Sequence, residues 1–409
     1  MSKSFDHDVI IAGGGPAGAS AAIHLAKRGA RVLLAEQKKF PRAKLCGEFI
    51  SPECVLHFER LGVADRMLAA HPARLSATVF YSRTGKSVSV PSAWFGADGV
   101  ALGLSRAEMD ERLLRRASDA GAHVIEDAQV VGLVCERNRV RGVSIRAEGS
   151  ETEYRAPLTL DATGRARVLA RRVGPQRNGS KPQRAPLVAF KAHLENTRVA
   201  DGKCEIYFYR GGYGGLSSIE GGLSNLCFIA SARDVRACGA DAERVMREVV
   251  CQNARAALVL ACARVCTPWL AVSLEGFGRY SVAPANGLLA IGDAASFIDP
   301  FTGSGMLMAL ESGELAAAII ASHLDTNPTV PDMRQLNADY VAAYHERFDS
   351  RLKACALIRR AAFVPGMAEI AIRFFGLSES LRHFVAGRTR SRAHRGQHGT
   401  RVDQSRNQG

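Results

Sequence analysis

Three glycines near the start of the chain stand at a spacing that suits phosphate binding. Gly13, Gly15 and Gly18 follow the apolar run 9–12 in a G-x-G-x-x-G pattern. The first glycine of such a pattern permits a tight turn, the second lets a phosphate approach the backbone, and the third lets a helix pack closely on a strand. Glu36 ends the next apolar run, near the distance at which an acid meets a ribose hydroxyl. The sequence therefore predicts a dinucleotide site, and Glu36 favours an unphosphorylated ribose, as in FAD or NAD, over that of NADP.

A second glycine-rich stretch lies far downstream. Asp293 directly follows an apolar strand, where its carboxylate can accept hydrogen bonds from a sugar-alcohol chain. The long helix after it opens in small residues. A helix N-terminus offers free N–H groups and the positive end of the helix dipole, which suit an anionic group or an electron-rich ring edge. The residues that open this helix are Gly303, Ser304, Gly305 and Met306.

Positive side chains stand where a bound phosphate would need them. Arg42 and Lys44 follow the strand that ends at Glu36, and Arg106 starts a helix that Ser105 caps. We expect these three cations to lie near the cofactor phosphates. Cys46 follows Lys44 by two positions. It is either a small packed residue or one that contacts the reacting groups.

The three blocks together resemble the flavoprotein monooxygenase superfamily of para-hydroxybenzoate hydroxylase type. The third block is the turn Asp161-Ala162-Thr163-Gly164 after an apolar strand. Within that superfamily, the run Pro41-Arg42-x-Lys44-x-Cys46-Gly47-Glu48 is similar to the geranylgeranyl reductase family. The resemblance extends from residue 8 to about 325 and implies FAD as cofactor.

The resemblance also implies roles for single residues. The first glycine turn and Glu36 would hold the ADP half of FAD, Arg106 would contact its phosphates, and Asp293 would bind the ribityl and pyrophosphate region. The helix start at 303–306 would hold the flavin's pyrimidine edge. The complete set of cofactor-binding residues implied is Gly13, Gly15, Pro16, Ala17, Gly18, Glu36, Arg42, Lys44, Cys46, Arg106, Asp161, Gly164, Asp293, Gly303, Ser304, Gly305 and Met306.

The order of apolar runs and turns predicts an α/β fold of interleaved domains. A Rossmann-like FAD-binding domain takes residues 1–74, 101–175 and 276–330. A mainly antiparallel sheet, the substrate domain, takes 75–100 and 176–275, and a helix over 241–265 backs it. C-terminal helices take 331–386, and residues 387–409 form a basic, disordered tail.

The sequence is compatible with more than one reaction of the cofactor. The first prediction is NAD(P)H-driven hydroxylation of an aromatic, polyketide-like or lipophilic molecule in secondary metabolism. The alternative is reduction of carbon–carbon double bonds in a prenyl or polyene chain, although the Tyr-x-Trp-x-Phe-Pro-like run of prenyl reductases is missing around Tyr213. A third possibility is a non-catalytic lipid-escort protein. Catalytic residues stay unknown, with Cys46, Glu48 and Tyr213 as candidates. No second G-x-G-x-x-G appears downstream, so a separate nicotinamide domain is not expected. Electrons would come from transiently bound NAD(P)H or from a protein donor.

Composition limits the partners and the compartment. The net charge is +14, and +5 of it lies in the polar residues 388–409, which contain six arginines, one aspartate and no aromatic residue, so no nucleic-acid partner is expected. Ten cysteines without a C-x-x-C pair predict free thiols in a reducing cytoplasm and no metal site. Residues 352–376 mix arginines with large apolar residues. They predict two short amphipathic helices, split at Pro365-Gly366, that either pack over the substrate domain or touch the inner membrane surface peripherally.

Overall fold

The computed structural model describes residues 5–95, 99–173, 187–274, 277–326, 332–363 and 366–388. The α-helices are α1 (Pro16–Ala26), α2 (Pro52–Leu61), α3 (Ala64–Leu68), α4 (Arg106–Asp119), α5 (Ala170–Val173), α6 (Ala232–Ala237), α7 (Ala242–Glu248), α8 (Ala254–Leu260), α9 (Gly305–Thr326), α10 (Met333–Ala362), α11 (Met367–Leu377) and α12 (Glu379–Arg388). The strands are β1 (Val9–Ala12), β2 (Val32–Ala35), β3 (Phe49–Ile50), β4 (Ala73–Leu75), β5 (Ala77–Tyr81), β6 (Ser87–Pro91), β7 (Ala101–Gly103), β8 (His123–Ile125), β9 (Gln129–Glu136), β10 (Arg139–Ala147), β11 (Ser150–Arg155), β12 (Leu158–Asp161), β13 (Leu187–Glu195), β14 (Lys203–Tyr209), β15 (Gly212–Ser218), β16 (Ser224–Ser231), β17 (Arg264–Val265), β18 (Leu270–Leu274), β19 (Gly278–Arg279), β20 (Leu288–Ala290) and β21 (Ser296–Phe297).

A five-stranded parallel sheet forms the centre of the first half of the molecule. Its strand order is β20-β12-β1-β2-β8. All four residues of β1 are buried, because helices and the β9–β11 hairpin layer cover both faces of the sheet. Parallel strands end at the same edge, so the turns after β1, β12 and β20 meet there.

α9 packs against α1 on one face of this sheet. Both helices are rich in small residues, which allows a close approach. A side chain at Gly313 of α9 would meet the carbonyl oxygen of Ala17 at 2.4 Å. By length and composition, Gly305–Leu324 of α9 is apolar enough to cross a membrane, but 56% of that window is buried inside the protein. α9 therefore serves as a core helix here.

The second half is built on an eight-stranded, mainly antiparallel sheet. Its order is β17-β13-β16-β15-β14-β5-β6, with β18 paired to β13. β5 and β14 are parallel neighbours, so residues 77–81 join a sheet whose other strands lie after residue 187. This interleaving confirms the predicted fold class. The domain limits at 175/176, 275/276 and 330/331 lie in segments outside the described residues and stay a prediction.

The predicted single helix over 241–265 is wrong. The chain forms α7, a short 3₁₀ turn, α8 and then β17. Buried Asn253 is the physical reason. Its side-chain oxygen accepts hydrogen bonds from the amides of Arg255 and Ala256, and its side-chain nitrogen donates to three carbonyls of the neighbouring sheet, so it caps a new helix.

The C-terminal region also differs from the expectation. Residues 352–362 belong to the thirty-residue helix α10, so the first of the two predicted short helices is the end of a long one. The second, α11, begins at Met367, directly after Gly366 of the predicted break. Pro365 lies outside the described residues. Gly387 and Arg388, assigned to the tail, end α12, while 389–409 lie outside the described residues.

Candidate active site

One cavity of about 890 Å³ connects the carboxyl edge of the parallel sheet with the face of the eight-stranded sheet. It brings together most of the residues that the sequence singled out. Those that line it are Gly13, Gly15, Pro16, Ala17, Glu36, Arg42, Lys44, Cys46, Glu48, Arg106, Gly164, Tyr213, Asp293, Gly303, Gly305 and Met306. Gly18, Asp161 and Ser304 are not among its lining residues.

The three glycines of the first turn have different surroundings. Gly13 has φ +107°, and a Cβ there would lie 2.4 Å from the carbonyl oxygen of Ala162. A Cβ at Gly18 would lie 1.9 Å from the carbonyl oxygen of Gly13, so strand and helix can approach only with glycine. A Cβ at Gly15 would meet no protein atom within 4 Å, because this position faces the cavity. The turn therefore leaves open space at the point where a phosphate needs it.

Glu36 is a fixed carboxylate on the cavity wall. It is 4% exposed, and its Oε2 accepts a hydrogen bond from the amide of Gly14 at 2.8 Å. Its Oε1 accepts from the amide of Lys38 at 3.1 Å and lies 3.6 Å from Nε of Arg42. Two backbone amides and Arg42 hold the carboxylate in place, which suits recognition of a ribose hydroxyl.

The three predicted cations share one region of the cavity with different partners. Arg106 forms a two-pronged ion pair with buried Asp110, both contacts at 2.7 Å, and Arg42 lies 3.4 Å from the same carboxylate. Lys44 makes no ion pair with any described residue. Its side chain reaches into the cavity, where the surrounding protein and the charges of Arg42 and Arg106 lower its pKa. An anionic ligand would reverse that electrostatic cost.

Asp293 and Asp161 have separate roles. Asp293 lines the cavity, and burial raises its pKa although Arg165, Arg106 and Lys44 oppose the shift. Asp161 is fully buried, and its carboxylate accepts hydrogen bonds from the amides of Thr163, Leu169 and Ala170. It therefore holds the turn that carries Gly164 to the cavity, and it acts by positioning that turn.

Glu48 is the centre of a buried charge cluster. Its backbone has φ +53°, and its side chain is fully buried. Oε1 lies 2.6 Å from Nζ of Lys191 and accepts from the amide of Arg106 at 2.8 Å, while Oε2 lies 2.7 Å from Nε2 of His193. Burial by itself raises the pKa of Glu48, but the His193 hydrogen bond and the Lys191 charge outweigh it and hold the pKa below the usual range.

This cluster joins the two halves of the molecule around Cys46. The thiol of Cys46 accepts a hydrogen bond from the amide of Glu48 at 3.4 Å, and its carbonyl accepts one from the side chain of Asn225 at 3.1 Å. Sequence reasoning missed Lys191 and His193. The available signal was the alternation of polar residues along strand β13, where Lys191, His193 and Glu195 are each two positions apart and therefore lie on one face.

Tyr213 belongs to a second polar junction. Its hydroxyl donates to Asp299, whose other oxygen accepts from Nε of Arg359 at 2.9 Å. Asp299 also accepts from the amide of Phe301, in the loop that leads to α9. Burial and the nearby Asp299 charge raise the pKa of Tyr213 well above its usual value, so it is a neutral phenol. This junction connects the sheet, α10 and the loop before Gly303.

Beyond these polar residues the cavity continues between mostly apolar walls, and this part is named here the apolar arm. Arg382 of α12 is a charged residue among the lining side chains. The eight-stranded sheet forms one wall, and the C-terminal helices form the opposite one. The sheet and its neighbouring loops contribute Phe80, Val88, Val90, Ile206, Phe208, Ile229, Leu274, Phe297 and Phe301, and the helices contribute Ile358, Met367, Ala371, Ile372, Phe375 and Val385. Walls of this composition favour an apolar ligand.

Comparison with known proteins identifies the family. The FAD binding domain family matches residues 6–328, which is most of the chain, and this chain belongs to that family. Menaquinone reductase of Mycolicibacterium smegmatis is 28% identical over 341 residues, which cover 77% of this chain and 76% of that protein. Digeranylgeranylglycerophospholipid reductase of Methanosarcina mazei is 27% identical over 316 residues, 76% of this chain and 74% of that protein.

Solved structures share the fold. The flavin-dependent brominase Bmp2 superposes with a TM-score of 0.76 at 20% identity, covering 94% of this chain and 93% of that one. At this identity the likeness concerns the fold alone. The protein is an FAD-dependent oxidoreductase, and the resemblance to the reductase and monooxygenase flavoproteins is confirmed.

The described residues fit FAD. The open space over Gly15, the fixed carboxylate of Glu36, the cations around Lys44 and the start of α9 lie along one continuous cavity. Within the described ranges, no group of three or more histidine, cysteine, aspartate or glutamate side chains is arranged to hold a metal ion.

Proposed function

We propose that this flavoprotein reduces carbon–carbon double bonds in an apolar chain, such as the prenyl chain of a lipid or quinone. The observation that carries the proposal is the apolar arm, which leads from the C-terminal helices to the residues around Cys46 and Asp293. Two relatives named as reductases of a menaquinone and a prenylated phospholipid support it. The cofactor-binding residues predicted from the sequence are proposed as the FAD site.

FAD, when bound, supplies the hydride chemistry, and the protein orients the substrate and excludes water from the site. Saturation of one double bond takes up a hydride and a proton. Cys46 lies on the cavity wall, held on both sides by Glu48 and Asn225, and we assign its thiol as the proton donor. Water then returns the proton to the thiolate. Electrons come from NAD(P)H bound transiently or from a protein donor.

Hydroxylation, the first prediction from the sequence, needs an oxygen-linked reaction at the same site. Among the residues that the structure describes, no contact in the cavity favours hydroxylation over reduction, so hydroxylation enters as an outcome of the test. Action on an aromatic or polyketide-like molecule in secondary metabolism likewise stays a prediction. A cytoplasmic location, with peripheral membrane contact through 352–376, is part of the proposal because the substrate class is lipophilic.

An anaerobic single-turnover experiment tests the reaction. The yellow protein is reduced with NADPH, NADH or dithionite and mixed with a prenylated quinone or a polyprenyl lipid in detergent, without oxygen. We expect reoxidation of the flavin and a product heavier by two hydrogens. Reoxidation that needs oxygen, with a product heavier by one oxygen atom, would establish the hydroxylase instead.

A matched pair of variants connects this result to the apolar arm. Ile206 lines the arm, whereas Leu258 is 65% exposed on α8, whose buried residues belong to another hydrophobic cluster. Ile206→Trp should slow reoxidation by the long chain and leave reduction by dithionite unchanged, because the indole occupies chain space. Leu258→Trp should behave as the wild type. Equal rates in both variants would show that the chain lies elsewhere.

A further inference from the structure

Large exposed hydrophobic side chains concentrate on the C-terminal helices. Phe374 and Leu377 of α11 are 64% and 85% exposed, and Leu357, Ile370 and Phe384 are each more than half exposed. Among the described residues, Leu68 and Leu258 are the other large hydrophobic side chains in this class. α10, α11 and α12 contact each other, so the five residues occupy neighbouring helices. Concentrated exposure of this kind marks an interaction surface.

Basic side chains accompany these apolar residues. Lys353, Arg360, Arg373 and Arg388 are exposed on the same three helices. Two acids lie between residues 352 and 388. Glu369 is engaged with Thr84 of the β5–β6 turn, at 3.4 Å from its amide and 3.3 Å from its hydroxyl, and Glu379 is exposed at the start of α12, so the four exposed cations outnumber the exposed acid. The surface thus combines apolar side chains with positive charge, which is the composition that binds an anionic lipid surface.

The same helices form a wall of the apolar arm from the inside. Ile372, Phe375 and Val385 line the cavity, while Phe374 and Leu377 point to solvent. An α-helix with its side chains is roughly 10 Å across, so one helix layer separates the exposed surface from the cavity. A chain leaving a lipid layer at this surface therefore has a short path to the arm.

α11 and α12 are held in place largely by apolar packing, which contact with lipid can replace. Both helices lie against β6, and α12 adds the edge-on contact of His383 with Trp94, with ring centres 5.2 Å apart. α11 begins after Gly366, whose φ is +78°. Apolar packing against β6 has no strong direction, so lipid contact can substitute for part of it.

We propose that the exposed face of α10–α12 docks on an anionic lipid surface, and that the apolar substrate chain enters the arm from the lipid, past α11 and α12. Docking itself is independent of the reaction, whereas chain entry rests on the proposed function. A second copy of this chain is the competing occupant of the face.

Vesicle flotation of the full-length holoprotein tests the docking. The vesicles consist of phosphatidylcholine alone or mixed with phosphatidylglycerol. We expect the protein to float with the anionic vesicles and at least about tenfold less with the neutral ones. The double variant Phe374→Asp, Leu377→Asp should lose binding by at least about tenfold, because two apolar anchors become negative. Leu258→Asp, at a leucine of α8 that is about as exposed as Phe374, should float as the wild type.

Flotation of the double variant at the wild-type level would overturn the proposal. So would a wild-type dimer, in gel filtration without lipid, that the double variant converts to monomer, because the face would then belong to a second copy.

Chain entry has its own readout. The prereduced double variant should reoxidise slowly with a prenyl lipid carried in anionic vesicles but normally with the same lipid in detergent. Equal rates in both media would contradict entry from the lipid. If the wild type is reoxidised in neither medium, the proposed function fails, while the flotation result still decides the docking.

Discussion

The carboxylate of Glu48 offers a quantitative test of how the two halves of the molecule are held together. Glu48→Gln removes its charge while keeping an oxygen for the amide of Arg106. Lys191, whose side chain is 3% exposed, then loses its counter-charge. Breaking a buried pair from one side costs about 3–5 kcal/mol of stability, since the remaining charge stays desolvated. We therefore expect the free energy of unfolding to fall by about that amount.

The double variant Glu48→Gln, Lys191→Met separates charge from shape. Replacing both members of a buried ion pair with uncharged residues is often neutral. We expect the double variant to recover much of the loss, so that the two changes are not additive. Urea denaturation, followed by circular dichroism, measures the free energy of unfolding of all three proteins and of Lys191→Met alone.

The pH dependence gives an independent check with a defined sign. The folded-state pKa of Glu48 lies below its usual value. The charge cluster therefore contributes its full stability above the unfolded glutamate pKa of about 4.3 and loses it as the pH falls through the lower folded value. Glu48→Gln should lack this acid-side loss.

Stability of Glu48→Gln within about 1 kcal/mol of the wild type would refute the reasoning. A double variant less stable than the single one would do the same. Either result would mean that the charges are solvated or compensated by groups other than those in contact with Glu48.

Three further predictions concern the cavity. Gly18→Ala should destabilise the protein, because its Cβ would lie 1.9 Å from a carbonyl oxygen of the same turn. Gly15→Ala, where a Cβ meets no protein atom within 4 Å, should keep the thermal midpoint of the protein without FAD. It should bind FAD more weakly, as titration followed by flavin fluorescence would measure. Tyr213→Phe should cost about 1–3 kcal/mol in urea denaturation, since buried Asp299 loses a hydrogen-bond donor. The affinity for FAD should fall as the pH rises through the lowered pKa of Lys44, because the FAD phosphates bind the protonated amine more strongly. Lys44→Met should bind FAD more weakly than the wild type, and its affinity should not show this decrease at alkaline pH.

The sequence was sufficient wherever neighbouring residues determine the structure. The turn at Gly13, Gly15 and Gly18 is local, and each glycine has the surroundings that the spacing predicts. The sheet edge then follows from the rule that parallel strands end on the same side, which brings Asp293 near that turn.

Contacts between distant segments were not predictable in the same way. Lys191 and His193 meet Glu48 across more than 140 residues, and no local pattern names the partner of a buried acid. Asn253 resembles an ordinary helix residue in a helical pattern, yet its contacts with the neighbouring sheet break the helix there. Arg359 reaches Asp299 only because α10 lies over the second half of the molecule.

The interleaved sheets also determine the order in which strands can pair while the chain is being synthesised. Strand β12 obtains its outer neighbour β20 only when the chain has grown past residue 290, and β5 waits for β14. Until then both carry open strand edges, which favour aggregation. Shortened proteins that end before β20 should therefore be insoluble even when they contain the whole first glycine turn and Glu36. The cofactor site, although it begins with the first strand, is among the last parts of this protein to be completed.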